Sequence, residues 1–322
     1  MENLSFLTDP IFLNSIFRFV APILFAALGG MLCTHVGITN IALEGFIVMG
    51  CFGAVLGSYF LKSAFLGVIT GVLFSVLVSL LYAFLKVSFG ADEVVVGLAL
   101  NLFCSSMTVF LLRSIFKVTG SFTSPDLKGL GIINIPIIRS IPIVGPLFSG
   151  HTALIYISWL FVFLTYILLY RTAFGLRMRG VGEHSEASST LGVNVHKTKY
   201  IAILLSGVLC GLAGAQLSLG NVTMFVEDMS SGRGWIAIVA NLLGQSLPLG
   251  VFLSSLLFGF VTSLSFRFQG LGWASELTEM LPYIITIISL VLVYIFSDKK
   301  MKRPSKEILA YKNEQMNHRT DG

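Results

Sequence analysis

The chain has 322 residues, of which 55% are hydrophobic and 11% charged, with a mean hydropathy of +0.87 and a formal charge of +5. A water-soluble globule is excluded, because its surface would draw on a charged fraction near about 25%. The positive charge calls for no nucleic-acid partner, since a chain that crosses a bilayer many times gathers Lys and Arg on its cytoplasmic side.

A helix needs about 20 mainly apolar residues to cross the hydrocarbon core. Runs of that kind, bounded by charge, Pro or Gly, predict segments at 13–33, 42–61, 64–86, 93–113, 151–170, 200–219, 234–246, 248–266 and 277–296, of which 234–246 is too short to span comfortably. The fold class expected is therefore an all-α polytopic membrane protein of about 8 to 10 transmembrane helices. Residues 1–17 carry Glu2 and Asp9 but no Lys or Arg, so they lack the basic start of a secretory signal, and the first span is expected to stay in the mature chain. Between 114 and 150, Pro125, Pro136, Pro142 and Pro146 interrupt an apolar stretch, IINIPIIRSIPIVGPLF, which is expected to lie along the interface or to pack as short helices or an ordinary loop.

Orientation follows from positive charge, because Lys and Arg in short loops resist translocation. One cluster is Arg171, Arg177, Arg179, Lys197 and Lys199; another is Lys299, Lys300, Lys302, Arg303, Lys306, Lys312 and Arg319 in the tail. Both are expected in the cytoplasm, which places the C-terminus inside and, by counting back, the N-terminus and the 114–150 segment outside. The domain division expected is a transmembrane domain over 1–296, with a loop at 171–199, and a basic tail over 297–322 near anionic headgroups.

No Lys follows a Gly anywhere, so a GxxxxGKS/T phosphate loop is absent, as are HExxH and GxSxG. Cys33, Cys51, Cys104 and Cys210 lie in apolar runs without a CxxC pair and read as small core residues. His35, His151, His184, His196 and His318 sit at span ends or in loops and read as exposed or interfacial. Neither a metal site nor a cofactor is expected, and no catalytic constellation is visible.

The informative residues are polar groups inside apolar runs. Glu44, near Asn40 at the start of the second span, could line a translocation path, or it could satisfy helix N-terminal amides, which favour negative charge in the first turn. Asp92 and Glu93 read as first-turn caps of the fourth span. Asn101 and Asn241 must find partners in apolar surroundings, either as interhelical glue or as path lining. Gly53 and Gly57, Gly67 and Gly71, and Gly207 and Gly211 form GxxxG pairs that permit close helix packing. The loop YRTAFGLRMRGVGEHSEASSTLGVNVHKTKY is too long for a tight connection and too polar for lipid. It predicts a short helix around Glu186, Ala187 and Ser188, bounded by Gly182 and stopped by Gly192, which either docks on a partner or is a mere linker.

TNIALEGFIVMGCFGAVLG (39–57), ADEVVVGLALNLF (91–103), FGLRMRGVGEHSEASSTLGVNVHKTKY (174–200), GRGWIAIVANLLGQSLPLGVFLSSLLFGF (232–260) and MLPYIITIISLVLV (280–293) together resemble, in order, the permease subunits of bacterial ABC importers. The resemblance is to the branch for nucleosides and simple sugars, akin to the ribose and branched-chain amino acid permeases. It implies that 171–199 is an EAA-type coupling loop, with Gly182, Glu183, Glu186, Ala187, Ser188 and Gly192 at the ATPase contact; Ser188 replaces the second Ala, and the broader motif's closing Pro is missing. It also implies a separate ATP-binding subunit, a second and paralogous permease chain, an extracellular substrate-binding lipoprotein, and a place in the bacterial cell membrane. The translocation path is then expected to involve Asn40, Glu44, Asn101 and Asn241, with nucleosides as first choice of substrate and simple sugars second. The rival of another class is an ion-coupled secondary transporter, for which Glu44 alone could serve as the coupling carboxylate. A membrane-embedded enzyme would lack a catalytic constellation.

Overall fold

The computed structural model describes residues 9–134, 144–270, 274, 277–278, 280–289 and 291. The centre of the proline-interrupted stretch, the end of the 277–296 segment and the basic tail fall outside them. The chain divides into two compact units, residues 1–282 and 283–322. In the second, residues 283–289 are helical; all that follows concerns the first.

Seven helices among the described residues are long and apolar enough to cross a membrane. The first, α1 (Pro10–Thr34), starts with Pro10 in the first turn, where a missing N–H costs nothing, and Asp9 caps it by accepting from the Ile11 amide at 3.0 Å. Next come α2 (Leu43–Leu61) and α3 (Ala64–Ala83), joined by Lys62 in the left-handed conformation. A π turn, Phe84–Ser88, prolongs α3, and another, Leu112–Phe116, prolongs α4 (Glu93–Leu111). After the short α5 (Val144–Phe148) and the long α6 (Ala153–Arg171), the polar loop folds into α7 (Ala173–Glu183) and α8 (Ser185–Thr190). The next span, α9 (Val195–Ala215), runs through a π turn to Val222. The short α10 (Arg233–Leu243) and the long α11 (Pro248–Gly270) follow.

The burial pattern inverts that of a soluble bundle. Whereas α1 and α2 are buried almost all round, α3, α4 and α6 expose Leu73, Leu77, Leu102, Phe110, Leu160 and Phe163. Apolar side chains turned outward on every peripheral helix suit lipid as the surrounding medium, with backbone hydrogen bonds closed inside each helix.

The inner helices meet through small residues. The GxxxG glycines of α2 and α3 each lie against the other helix: a methyl at Gly71 would stand 2.7 Å from the Gly50 carbonyl oxygen, one at Gly67 would stand 2.8 Å from that of Ala54, and one at Gly53 would stand 3.0 Å from that of Thr70. Gly211 of α9 approaches α3 in the same way, 2.6 Å from the Val72 Cα. Ser75 then donates to the Gly207 carbonyl at 2.7 Å, a hydrogen bond that only such closeness allows. The four cysteines are buried and free.

One end of the bundle, called here the strand end, carries two short antiparallel pairs. The first joins β1 (Ser121–Phe122) to β4 (Phe225–Val226), and the second joins β2 (Ile132–Ile133) to β3 (His151–Thr152). The Phe52, Phe116, Phe122 and Phe225 rings pack beneath the first pair, and an ion pair of 2.8 Å joins Asp9 to Arg267. His151 is buried, only 1% exposed, against Phe17, and its Nε2 lies 2.7 Å from the Leu147 carbonyl, so its reading as an exposed or interfacial residue is corrected. The opposite end, the loop end, carries α7 and α8.

Gly71→Val would force two backbones apart, and overpacking of this kind costs about 1–3 kcal/mol. Thermal unfolding of the detergent-solubilised protein should show a lowered midpoint for Gly71→Val and an unchanged one for Gly131→Ala, where a methyl meets nothing within 4 Å.

Candidate functional site

The site is built where helices break. The 11 residues of α10 span about 16 Å, roughly half of a hydrocarbon core about 30 Å thick. Its C-terminal turn reaches the loop end, where the His35 Nε2 lies 2.9 Å from the Ser246 carbonyl. Its N-terminus therefore stops near mid-depth, and its first amides, which no helical carbonyl can satisfy, face the protein interior.

Glu44 meets them. Its Oε1 accepts from the Gly232 amide at 2.8 Å and from the Ser230 hydroxyl, and its Oε2 accepts from the Gly234 amide at 2.6 Å. Gly232 adopts φ +76°, a left-handed turn that aims its amide inward, and a methyl at Gly234 would stand 2.5 Å from the Glu44 amide nitrogen. The side chain is buried, 9% exposed. Although it sits in the first turn of α2, the amides it satisfies are those of α10 and its approach, 188 and 190 residues away. The Arg233 Nη1 is turned onto the carbonyls of Met229 and Ser230 at 3.1 and 2.9 Å, which closes the turn ahead of α10.

The connector 35–42 makes Glu44 reach that depth. It leaves α1 at the loop end and doubles back, since Asn40 donates at 3.1 Å to the hydroxyl of Ser206, about 16 Å along α9. Asn40 Oδ1 also accepts from the Ala42 amide at 3.0 Å, bending the chain into α2. Asn101 of α4 closes the break by donating to the Ile41 carbonyl at 2.9 Å and accepting from the Gly45 amide at 2.8 Å. Glu93 accepts from the Thr39 amide at 3.3 Å and pairs with Lys86 at 3.4 Å, while Asp92 takes the cap of α4 from the Val94 and Val95 amides. Asn241 lies apart, donating at 2.9 Å to Thr34 at the end of α1, and its Oδ1 is buried without a partner among the described residues.

At the loop end, α8 ends as its residues dictate: the Gly192 amide bonds the Ser189 carbonyl at 2.9 Å and the Val193 amide that of Ser188 at 3.0 Å, with Gly192 at φ +82°. Glu183, Glu186 and Ala187 are exposed and Ser188 is buried. Gly182 has a different setting, since a methyl there would stand 2.5 Å from the His35 carbonyl oxygen, so it lets α7 press directly on the connector. Burial holds the His35 imidazole below the ordinary histidine pKa, with the Ser246 carbonyl opposing the shift and Arg179 adding to it. Neutral at pH 7, it donates its Nε2–H to Ser246.

The sequence reading brought out Asn40, Glu44 and Asn101, which the fold gathers, and Asn241, which it does not. It passed over Ser230, Gly232 and Gly234, whose signal was SSGRGW ahead of a helix too short to span, and it read His35 only as an exposed or interfacial residue at a span end. The helix α7 was not foreseen either. Leu191, which ends α8, is 84% exposed.

Glu44→Gln would leave one carbonyl for three donors and set an NH2 against an N–H. Losing charge-assisted hydrogen bonds costs about 1.5–3 kcal/mol each. Thermal unfolding in detergent should show Glu44→Gln destabilised by about 2 kcal/mol and Glu93→Gln, at the half-exposed rim, much less.

A family model described as branched-chain amino acid transport system / permease component matches residues 12–290. The nucleoside ABC transporter permease protein NupC of Lactococcus lactis subsp. cremoris is 35% identical over 282 residues, covering 84% of this chain and 88% of the relative. The guanosine ABC transporter permease protein NupQ of Bacillus subtilis is 32% identical over 291 residues, with the same coverages of 84% and 88%. Among solved structures, an inward-facing metal-chelate type ABC transporter superposes with a TM-score of 0.51 at 18% identity, over 87% of this chain and 85% of that one, a likeness of fold. By the family match and by these identities, the chain is a multi-pass membrane protein that belongs to the permease component family of branched-chain amino acid transport systems.

Proposed function

We propose that the chain is a transmembrane permease subunit of an ATP-driven ABC importer whose cargo is nucleosides. The observation that carries this reading is the physical continuity from an exposed helix to a mid-depth helix break: α7 presses on the connector through Gly182, and the connector leads to Glu44 and α10. A docking helix tied to a movable half-helix suits a subunit driven from outside itself, as rigid elements transmit displacement. Two relatives whose names state nucleoside and guanosine transport direct the choice of cargo.

On this reading ATP is hydrolysed by a separate subunit, against which Glu183, Glu186, Ala187 and the turn at Gly192 are set, with Gly182 and Ser188 holding the loop from behind. A second, paralogous permease chain completes the passage, and an extracellular lipoprotein delivers cargo to it. The chain lies in the bacterial cell membrane, its loop end and the tail from 297 in the cytoplasm and its strand end outside, so 1–296 forms the permease domain. Asn40, Glu44, Asn101 and Asn241 border the path by holding its helix breaks. Alanine changes at these four that leave both uptake and cargo-stimulated ATPase activity intact would remove them from it.

The test is reconstitution of the chain with its partner subunits and measurement of ATP-dependent uptake of labelled nucleosides. Glu186→Lys, on an exposed turn, should abolish uptake while the complex still assembles. Uptake of simple sugars and not nucleosides would replace the cargo and keep the mechanism. Gradient-driven uptake by this chain alone would overturn the importer reading in favour of a secondary transporter.

A further inference from the structure

Arg18 lies eight residues into α1, about 12 Å from its start. An arginine at such depth is costly against lipid and marks a polar passage or partner. It is built in: its Nη2 donates to the Asn221 carbonyl at 2.7 Å, Asn221 donates back to the Arg18 carbonyl at 3.4 Å, and Gln216 and Thr152 extend the chain at 3.0 and 2.7 Å. The same arginine borders a cavity of about 490 Å³ together with Asn221, Ser231, Arg233, Phe19 and Phe266. The Phe19 and Phe266 rings are stacked, 4.8 Å apart and 8° from parallel, with Phe266 49% exposed.

Three properties of this cavity define a ligand. Its volume falls within the range of small-molecule sites, about 300–1,000 Å³. Its lining holds two guanidinium-bearing residues and no carboxylate, so it favours groups rich in hydrogen-bond acceptors. Its aromatic wall offers a flat apolar face, on which a heterocyclic base stacks without regard to its identity. Arginine also matches the adjacent carbonyl and ring-nitrogen acceptors of guanine.

Building on the nucleoside reading above, we infer that this cavity is a cargo station at the strand end, in which the base of a nucleoside lies against Phe266 and is held by Arg18 and Arg233. Ser231 and Arg233 flank Gly232, whose amide binds Glu44. Cargo in the station therefore touches the turn that begins α10, beside the Glu44 contact.

The test uses the reconstituted complex. Ser231→Cys places one thiol in the cavity of a chain whose native cysteines are all buried. Its labelling by a charged methanethiosulfonate reagent should be slowed severalfold by guanosine and by neither ribose nor inorganic phosphate. Phe266→Ala and Arg18→Gln should each lower ATP-dependent guanosine uptake about tenfold, while Phe266→Tyr retains it and all three complexes assemble. If the wild type imports guanosine but the variants import it equally well, or if phosphate and not guanosine protects the thiol, the station is refuted and the nucleoside reading stands. If the wild type imports no nucleoside at all, the nucleoside reading fails and takes the station with it.

Discussion

A carboxylate and a half-helix each remove the other's difficulty at mid-depth. Alone, Glu44 would cost about 3 kcal/mol at the centre of a span. Alone, the first turn of α10 would leave orphan amides in a medium without water, at several kcal/mol for each unsatisfied group. Together they form three hydrogen bonds, with the amides at 2.6 and 2.8 Å and the Ser230 hydroxyl as third donor. The positive end of the helix dipole adds to them. The gain exceeds the insertion cost, so the break is a stable feature of the fold.

Much of the surrounding structure serves to bring Glu44 to that depth. The connector must run back into the bundle without helical hydrogen bonds, so each of its free backbone groups needs a partner. Asn101 supplies one of these partners, to the Ile41 carbonyl, and also takes the Gly45 amide in the first turn of α2; Asn40 supplies a second from within the connector, and Glu93 takes the Thr39 amide. Close packing is the other requirement. A methyl at Gly234 would strike α2, and one at Gly214 would stand 2.5 Å from the Cys51 amide nitrogen, so bulk at either position would push Glu44 away from its donors.

The spans were legible in the sequence because length and hydropathy alone define them; 64–86 against Ala64–Ser88 differs where a π turn prolongs the helix, while 200–219 against Val195–Val222 and 248–266 against Pro248–Gly270 also leave out polar turns at the helix ends. The short 234–246 segment was read as too short to span comfortably, and it holds the half-helix α10. The partner of Glu44 was not legible. First-turn acids usually cap their own helix, as Asp92 does, and nothing local in GITNIALEGF points to amides nearly 190 residues away. AFGLRMRGVGE concealed α7 because three glycines depress its helical signal, whereas its buried face, Met178 and Val181, emerges only through tertiary contact. Gly182 was grouped with the exposed loop residues, yet its bareness serves the contact with His35.

The half-helix is held at both ends, and the two holds are unequal. At its N-terminus, three donors converge on a charged carboxylate. At its C-terminal turn, two neutral hydrogen bonds, from Asn241 to Thr34 and from His35 to Ser246, hold it, each worth about 1 kcal/mol net. The charged hold at Glu44 is therefore the firmer of the two. His35 is also the residue whose carbonyl lies against Gly182 of α7. A displacement of α7 thus reaches α10 at its weaker hold, through a junction of two backbone segments with no side chain between them to absorb it.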